Sequence, residues 1–181
     1  MAAAYGVYQL WLHNSAEGKL KLATKEAKKL QEAAQESQDQ YKSLEKFQDT
    51  YQEKTAQVSA ATSVADREQA ILERNQAILD AIQEDGTLAQ YVITERTDFG
   101  IQLTVDEAGL KAAIADISET ARKAAIDAQF GEARVDFAEA NVAEKNLRKL
   151  YQQQFMFAED TQELSIDEIY ERLRNDTVAG G

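Results

Sequence analysis

The sequence predicts a mainly α protein: a long antiparallel helical hairpin or coiled-coil bundle, with a small β-hairpin at about residues 89–105 between its arms. Three observations predict it. No proline occurs in 181 residues, while the strong helix formers Ala, Gln, Glu and Lys dominate. Apolar and small residues recur in alternating steps of four and three over long stretches, the spacing of a helix seam. Only Asp85 to Leu110 breaks that rhythm, with β-branched and aromatic runs and turn residues.

Met1 to His13, MAAAYGVYQLWLH, carries no charge. It is shorter than the ~20 apolar residues that span a bilayer as a helix, and it lacks the basic start and cleavage site of a secretory signal. It reads as an apolar attachment segment. Tyr5, Tyr8, Leu10, Trp11 and Leu12 are candidate partner-binding residues, with Val7 beside them. Burial against protein is the preferred reading, and contact with a membrane surface is its rival. His13 is the single histidine; with no second ligand or nucleophile it reads as structural.

One elongated helical domain is expected over residues 14–175. Its first arm spans 15–84, with Ser15 as N-cap. From Ala16, steps of four and three reach Leu20, Ala23, Ala27, Leu30, Ala34, Ser37, Tyr41, Leu44, Gln48, Tyr51, Thr55 and Val58. A seam of Ala, Tyr and polar residues packs closely but buries less apolar surface than a leucine seam, so further helices or an oligomer should support it. The pattern softens over Val58 to Asp66. Ser63 with Asp66 resembles a capping box, so a break is preferred here to a continuous helix. Gln69-Ala70-Ile71-Leu72 then repeats as Gln76-Ala77-Ile78-Leu79. With Ile82 this is the most apolar piece of the arm, and the best core is expected here.

Gly86 fits the left-handed residue that commonly closes a helix. The hairpin region, 88–105, follows. Tyr91 to Thr94 is one run. Ile101, Leu103 and Val105, alternating with Gln102 and Thr104, form a half-buried strand. Thr97-Asp98-Phe99-Gly100 makes the turn. Two strands alone are marginal in water, so the hairpin should pack on the arms or a neighbouring subunit.

The second arm, 106–159, begins on Asp106 and Glu107, acids suited to a helix N-terminus. Leu110, Ile114, Ile117 and Ala121 form its first stripe; Phe130, Ala133, Phe137, Ala140, Leu147 and Tyr151 form a later one. Gly109 and Gly131 each cost the helix about 1 kcal/mol. Phe155-Met156-Phe157 closes the arm, either as packing or as a contact between subunits; Phe155 and Phe157 join the partner-binding candidates. Ser165 and Glu168 make a capping box for a short helix over 166–175, built on Ile166, Ile169, Tyr170 and Leu173. Residues 176–181 read as a loose tail.

The formal net charge is −12, and its placement is uneven. The arms are balanced, whereas Asp66 to Leu110 holds three basic against ten acidic residues and Tyr151 to Gly181 two against seven. Sequence-independent nucleic-acid binding needs a basic surface, and none is visible. The absence of cysteine excludes disulfides and thiolate metal sites and fits a reducing compartment. Asp98-Phe99-Gly100 spells a kinase tripeptide, but the glycine-rich loop, strand lysine and catalytic loop that must accompany it are missing. No phosphate-binding loop, nucleophile triad or histidine metal set occurs. No catalytic residue, cofactor or metal is therefore expected, and the chain reads as a non-enzyme.

The stretch AAAYGVYQLWL, running into Ala/Gln/Lys/Glu-rich helix with a glycine-containing interruption at Asp85 to Gly109, resembles the internal virion (ejection) proteins of short-tailed bacteriophages. That resemblance implies an oligomeric virion component delivered with the genome. The expectation is a non-enzymatic structural or assembly protein with protein partners. It would reside in the virion if phage-derived and otherwise in the cytoplasm. The alternatives are a prefoldin-like holding chaperone, whose arms also meet at β-structure, and an acidic scaffolding protein for shell assembly.

Overall fold

The computed structural model describes residues 13–98, 100–154 and 164–179. The chain is mainly helical, with one small antiparallel sheet between long helices. Helix α1 (Ala16–Ala60) starts on Ser15, whose hydroxyl accepts from the Gly18 amide at 2.9 Å. Every residue of its expected seam, Leu20 through Val58, is buried or half-buried. The first arm is two helices. α1 ends at Ala60 and α2 (Val64–Glu84) begins after Ser63, whose hydroxyl accepts from the Asp66 amide at 3.0 Å. A side chain that bonds the orphan amides of a new first turn ends the old helix and starts the next.

The chain forms two compact units, to both of which α1 and the long helix α3 (Glu107–Gln154) contribute. In the unit of residues 32–126, α2 returns antiparallel along the last half of α1. Ser43 donates to Asp85 at 2.8 Å, and Lys46 pairs with Glu84 at 3.0 Å. Phe47, Tyr51, Ile78, Leu88, Val105 and Leu110 are its buried core, with Leu44, Ile82, Leu103 and Ile114 packed against them. The α2 repeat contributes unequally. Ile71 and Ile78 are buried, whereas Leu72 and Leu79 face outward. Isoleucines seven residues apart share the inward face, and the leucines beside them are turned about 100° away from it.

Gly86 is not left-handed; among the described residues only Gly100 has positive φ, at 91°. Asp85 makes the turn instead, in extended conformation, and its carboxylate accepts from the Thr87 amide at 3.0 Å to start a 3-10 helix over Gly86–Tyr91. Strand β1 (Val92–Thr97) then pairs with β2 (Gly100–Val105) in the register Val92 to Val105, Thr94 to Leu103 and Thr97 to Gly100. The Asp106 amide closes the base on the Tyr91 carbonyl at 2.8 Å. Burial fades along β2, from Val105 (buried) through Leu103 to Ile101 (exposed), so Ile101 leaves the expected half-buried pattern near the turn.

In the other unit, residues 13–31 pack against described residues from 127 onward. α1 and α3 run antiparallel there, tied by Glu17 to Lys145 at 2.7 Å and Glu26 to Arg134 at 3.0 Å. The buried face of α3 corrects the expected later stripe. Carrying Leu110, Ile114, Ile117 and Ala121 onward in unbroken steps of three and four reaches Ala124, Ala128, Gly131, Val135, Ala138 and Val142, all buried or half-buried. Phe130, Ala133, Phe137 and Ala140 are exposed; of that stripe only Leu147 and Tyr151 turn inward. The reason is distance. A Cβ on Gly131 would lie 3.1 Å from the Ala27 Cα and 3.0 Å from Leu30 Cδ1, a separation that excludes phenylalanine.

Asp106 caps α3, accepting from the Gly109 amide at 3.0 Å. Its carboxylate lies where a Gly109 side chain would begin. The final helix α4 (Ile166–Ala179) runs past the expected end at 175, through part of the presumed tail. Its cap is reciprocal: the Ser165 amide donates to Glu168 at 2.8 Å, and the Glu168 amide to Ser165 Oγ at 3.3 Å. Ile169 and Leu173 bury against Tyr151, and Arg172 donates to the Tyr151 hydroxyl at 2.9 Å.

Candidate functional site

Helix α3 carries two seams of the same period on opposite sides. One, through Ala128, Gly131, Val135 and Ala138, is filled by α1. The other, Phe130, Ala133, Phe137 and Ala140, stands in steps of three and four on the open side, with Phe130 64% and Phe137 71% exposed. Leaving a phenylalanine in water forgoes roughly 1.5–3 kcal/mol of burial. Single exposed apolar residues need no explanation, but a row at helix-seam spacing is the pattern that receives another helix. A second row lies on α2, where Leu72 is 62% and Leu79 50% exposed.

The α2 row borders the hairpin. Asn75, one turn after Leu72 and one before Leu79, donates to the Ile101 carbonyl at 2.9 Å and accepts from the Leu103 amide at 2.8 Å. One side-chain amide thus meets two of the outward polar groups of β2, as a neighbouring strand would. Beside it Arg74 is only 5% exposed, donates to Gln102 at 3.2 Å and lies 5.9 Å from the Tyr51 ring centroid. Its Nε has no hydrogen-bond partner. These two polar residues hold the hairpin against α2, and the apolar pattern gave no sign of either.

Asp85 anchors the other end of α2. The Thr87 hydroxyl, first, and Ser43 donate to its carboxylate and hold its pKa below the usual 3.8. A small cleft of about 230 Å³ lies alongside, lined by Phe47, Ala77 and Leu88 with Lys46, Asp80 and Glu84. Among the described residues no group of three or more His, Cys, Asp and Glu side chains is placed to hold a metal ion. No helix among them is long and apolar enough to cross a membrane.

The partner-binding candidates Tyr5, Tyr8, Leu10, Trp11, Leu12, Phe155 and Phe157 lie outside the described residues. The exposed faces of α2 and α3 are therefore sites that the sequence reading missed. The signal for them was present: Phe130 and Phe137 fall out of phase with the stripe that begins at Leu110, and two phases on one helix mean two faces. Comparison with family models, with curated proteins and with solved structures found no match.

Proposed function

We propose that this chain is a non-enzymatic helical structural protein that assembles through apolar helix faces. The observation that carries the reading is the open row Phe130, Ala133, Phe137 and Ala140, opposite a seam that α1 already fills. The row on α2 supports it. Charge-laced helix surfaces supply solubility, while the apolar rows supply contact area. The resemblance of the N-terminal stretch to ejection proteins of short-tailed phages suggests the setting: the interior of a virion, as one of many helical subunits.

Location tests the setting, and association tests the assembly. Mass spectrometry of purified particles should find the chain in mature virions. Presence in immature shells alone would point to scaffolding, and absence from both would remove the virion reading. Independently, the purified chain should sediment as a species larger than 20.2 kDa at micromolar concentration. Replacing Leu72, Leu79, Phe130 and Phe137 by Glu should lower its association while helix content stays the same. A monomer that binds no copy and no virion protein would overturn the assembly reading.

A further inference from the structure

The assembly reading leaves open what covers the α3 row, and the polar residues beside the row answer it. We propose that the Phe130–Ala140 face of α3 binds the same face of a second copy of this chain, with the two helices parallel and in register. This rests on the assembly reading and names its partner.

The argument is one of charge. With Phe130 and Phe137 as one set of seam residues and Ala133 and Ala140 as the other, Gln129 and Asp136 border the row on one side and Arg134 and Asn141 on the other. All four are exposed. In a parallel pair, a residue on the first border faces the residue five positions on in the second border of its partner. Asp136 then meets the copy's Asn141, whose amide donates to it, and Gln129 meets the copy's Arg134, which donates to its carbonyl. Both contacts form twice by symmetry. The side chains of Gln129, Asp136 and Asn141 make no hydrogen bond among the described residues, so the contacts compete with nothing inside the chain. Arg134 keeps its pair with Glu26 through Nη1 and has further donors to spend on Gln129.

Turned antiparallel with the whole row overlapped, Phe130 on the copy's Ala140, the same face brings Arg134 against Arg134 and Asp136 against Asp136, and like charges across a helix pair destabilise it. The α2 row offers no such match. Leu72 and Leu79 stand near Glu68, Glu73 and Asp80 on α2; Lys54 of α1 pairs with Glu73 at 3.8 Å, but Glu68 and Asp80 have no base beside them on α2, so two copies of that row would set acid against acid. The alanines matter as well. In register like layers meet, Phe130 on the copy's Phe130 and Ala133 on the copy's Ala133, so ring layers and methyl layers alternate along the seam.

The absence of native cysteine makes orientation directly testable. In the full chain, Ala133→Cys and Ala140→Cys are made singly and oxidised, with Ala33→Cys on the exposed face of α1 as the collision control. A parallel in-register pair brings like positions within disulfide reach, so each single α3 variant should cross-link to itself and Ala33→Cys should not. Separately, Phe130→Glu with Phe137→Glu should lower the self-association constant by more than about a hundredfold, at unchanged helix content. Cross-linking only when Ala133→Cys and Ala140→Cys chains are mixed would overturn the parallel arrangement. Undiminished association of the double Glu variant, with no cross-link at either position, would overturn the site while leaving assembly through another surface standing. A wild-type chain that stays monomeric would overturn both.

Discussion

The two units of this protein draw on the same two long helices and hold them by different means. In residues 32–126, large side chains fill the space between elements: Phe47, Tyr51, Ile78, Leu88 and Leu110. In the other unit α1 and α3 meet across Ala27, Ala128, Gly131 and Ala138, so closely that one added carbon at Gly131 lies within 3.1 Å of backbone. That unit gains contact by proximity and adds ion pairs at its edges, which are worth little when exposed. A helix can thus change its packing chemistry along its length while keeping one seam phase.

The comparison implies opposite sensitivities. Leu110 is fully buried among large neighbours, so Leu110→Ala should lose about 2–5 kcal/mol of stability in urea unfolding. Gly131→Val inverts the experiment by adding volume where helices touch, and about 1–3 kcal/mol should be lost through overpacking. Should Gly131→Val instead raise the midpoint, the gain in helix propensity outweighs the crowding and the close-contact account is wrong.

A smaller effect probes the joint between α2 and the hairpin. Asp85→Ala removes a cap and should cost about 1 kcal/mol at neutral pH. Because donors from Thr87 and Ser43 lower the folded carboxyl below its ordinary 3.8, the contribution is present above that value and disappears as the pH falls through the lower folded one. Unfolding curves of wild type and variant should therefore converge in strong acid; a constant difference would mean that the loss is not ionic. Smallest of all, Phe130→Ser with Phe137→Ser should change the stability of the dilute chain by less than about 0.5 kcal/mol each, since both rings face water. A loss of several kcal/mol would place them in a core.

How far the sequence foretold this depends on the kind of residue. Caps were legible because Ser15, Ser63, Asp106 and Ser165 each act on the amide three residues on. The α1 seam was legible because it kept one phase. The second half of α3 was misread because side-chain size was weighed above phase: phenylalanine outranks alanine in apolar area, yet where helices touch, the smaller residue is the buried one. Arg74 and Asn75 were illegible for another reason. Their partners, Gln102, Ile101 and Leu103, lie 26 to 28 residues away, and no local pattern announces a polar clamp across such a gap. The 3-10 helix at Gly86–Tyr91 is hidden in the sequence because an aspartate, Asp85, turns the chain where a glycine stands ready beside it.

The Asn75 clamp has a consequence for exchange with solvent. The Leu103 amide, bound to Asn75, is released only when β2 leaves α2, so its deuterium uptake reports that opening. Thr94, directly across the ladder, points its own amide to the far edge and should exchange far sooner. One side chain therefore gives a two-stranded ribbon one slow edge and one fast edge, and Asn75→Ala should make the two rates alike without unpairing the strands.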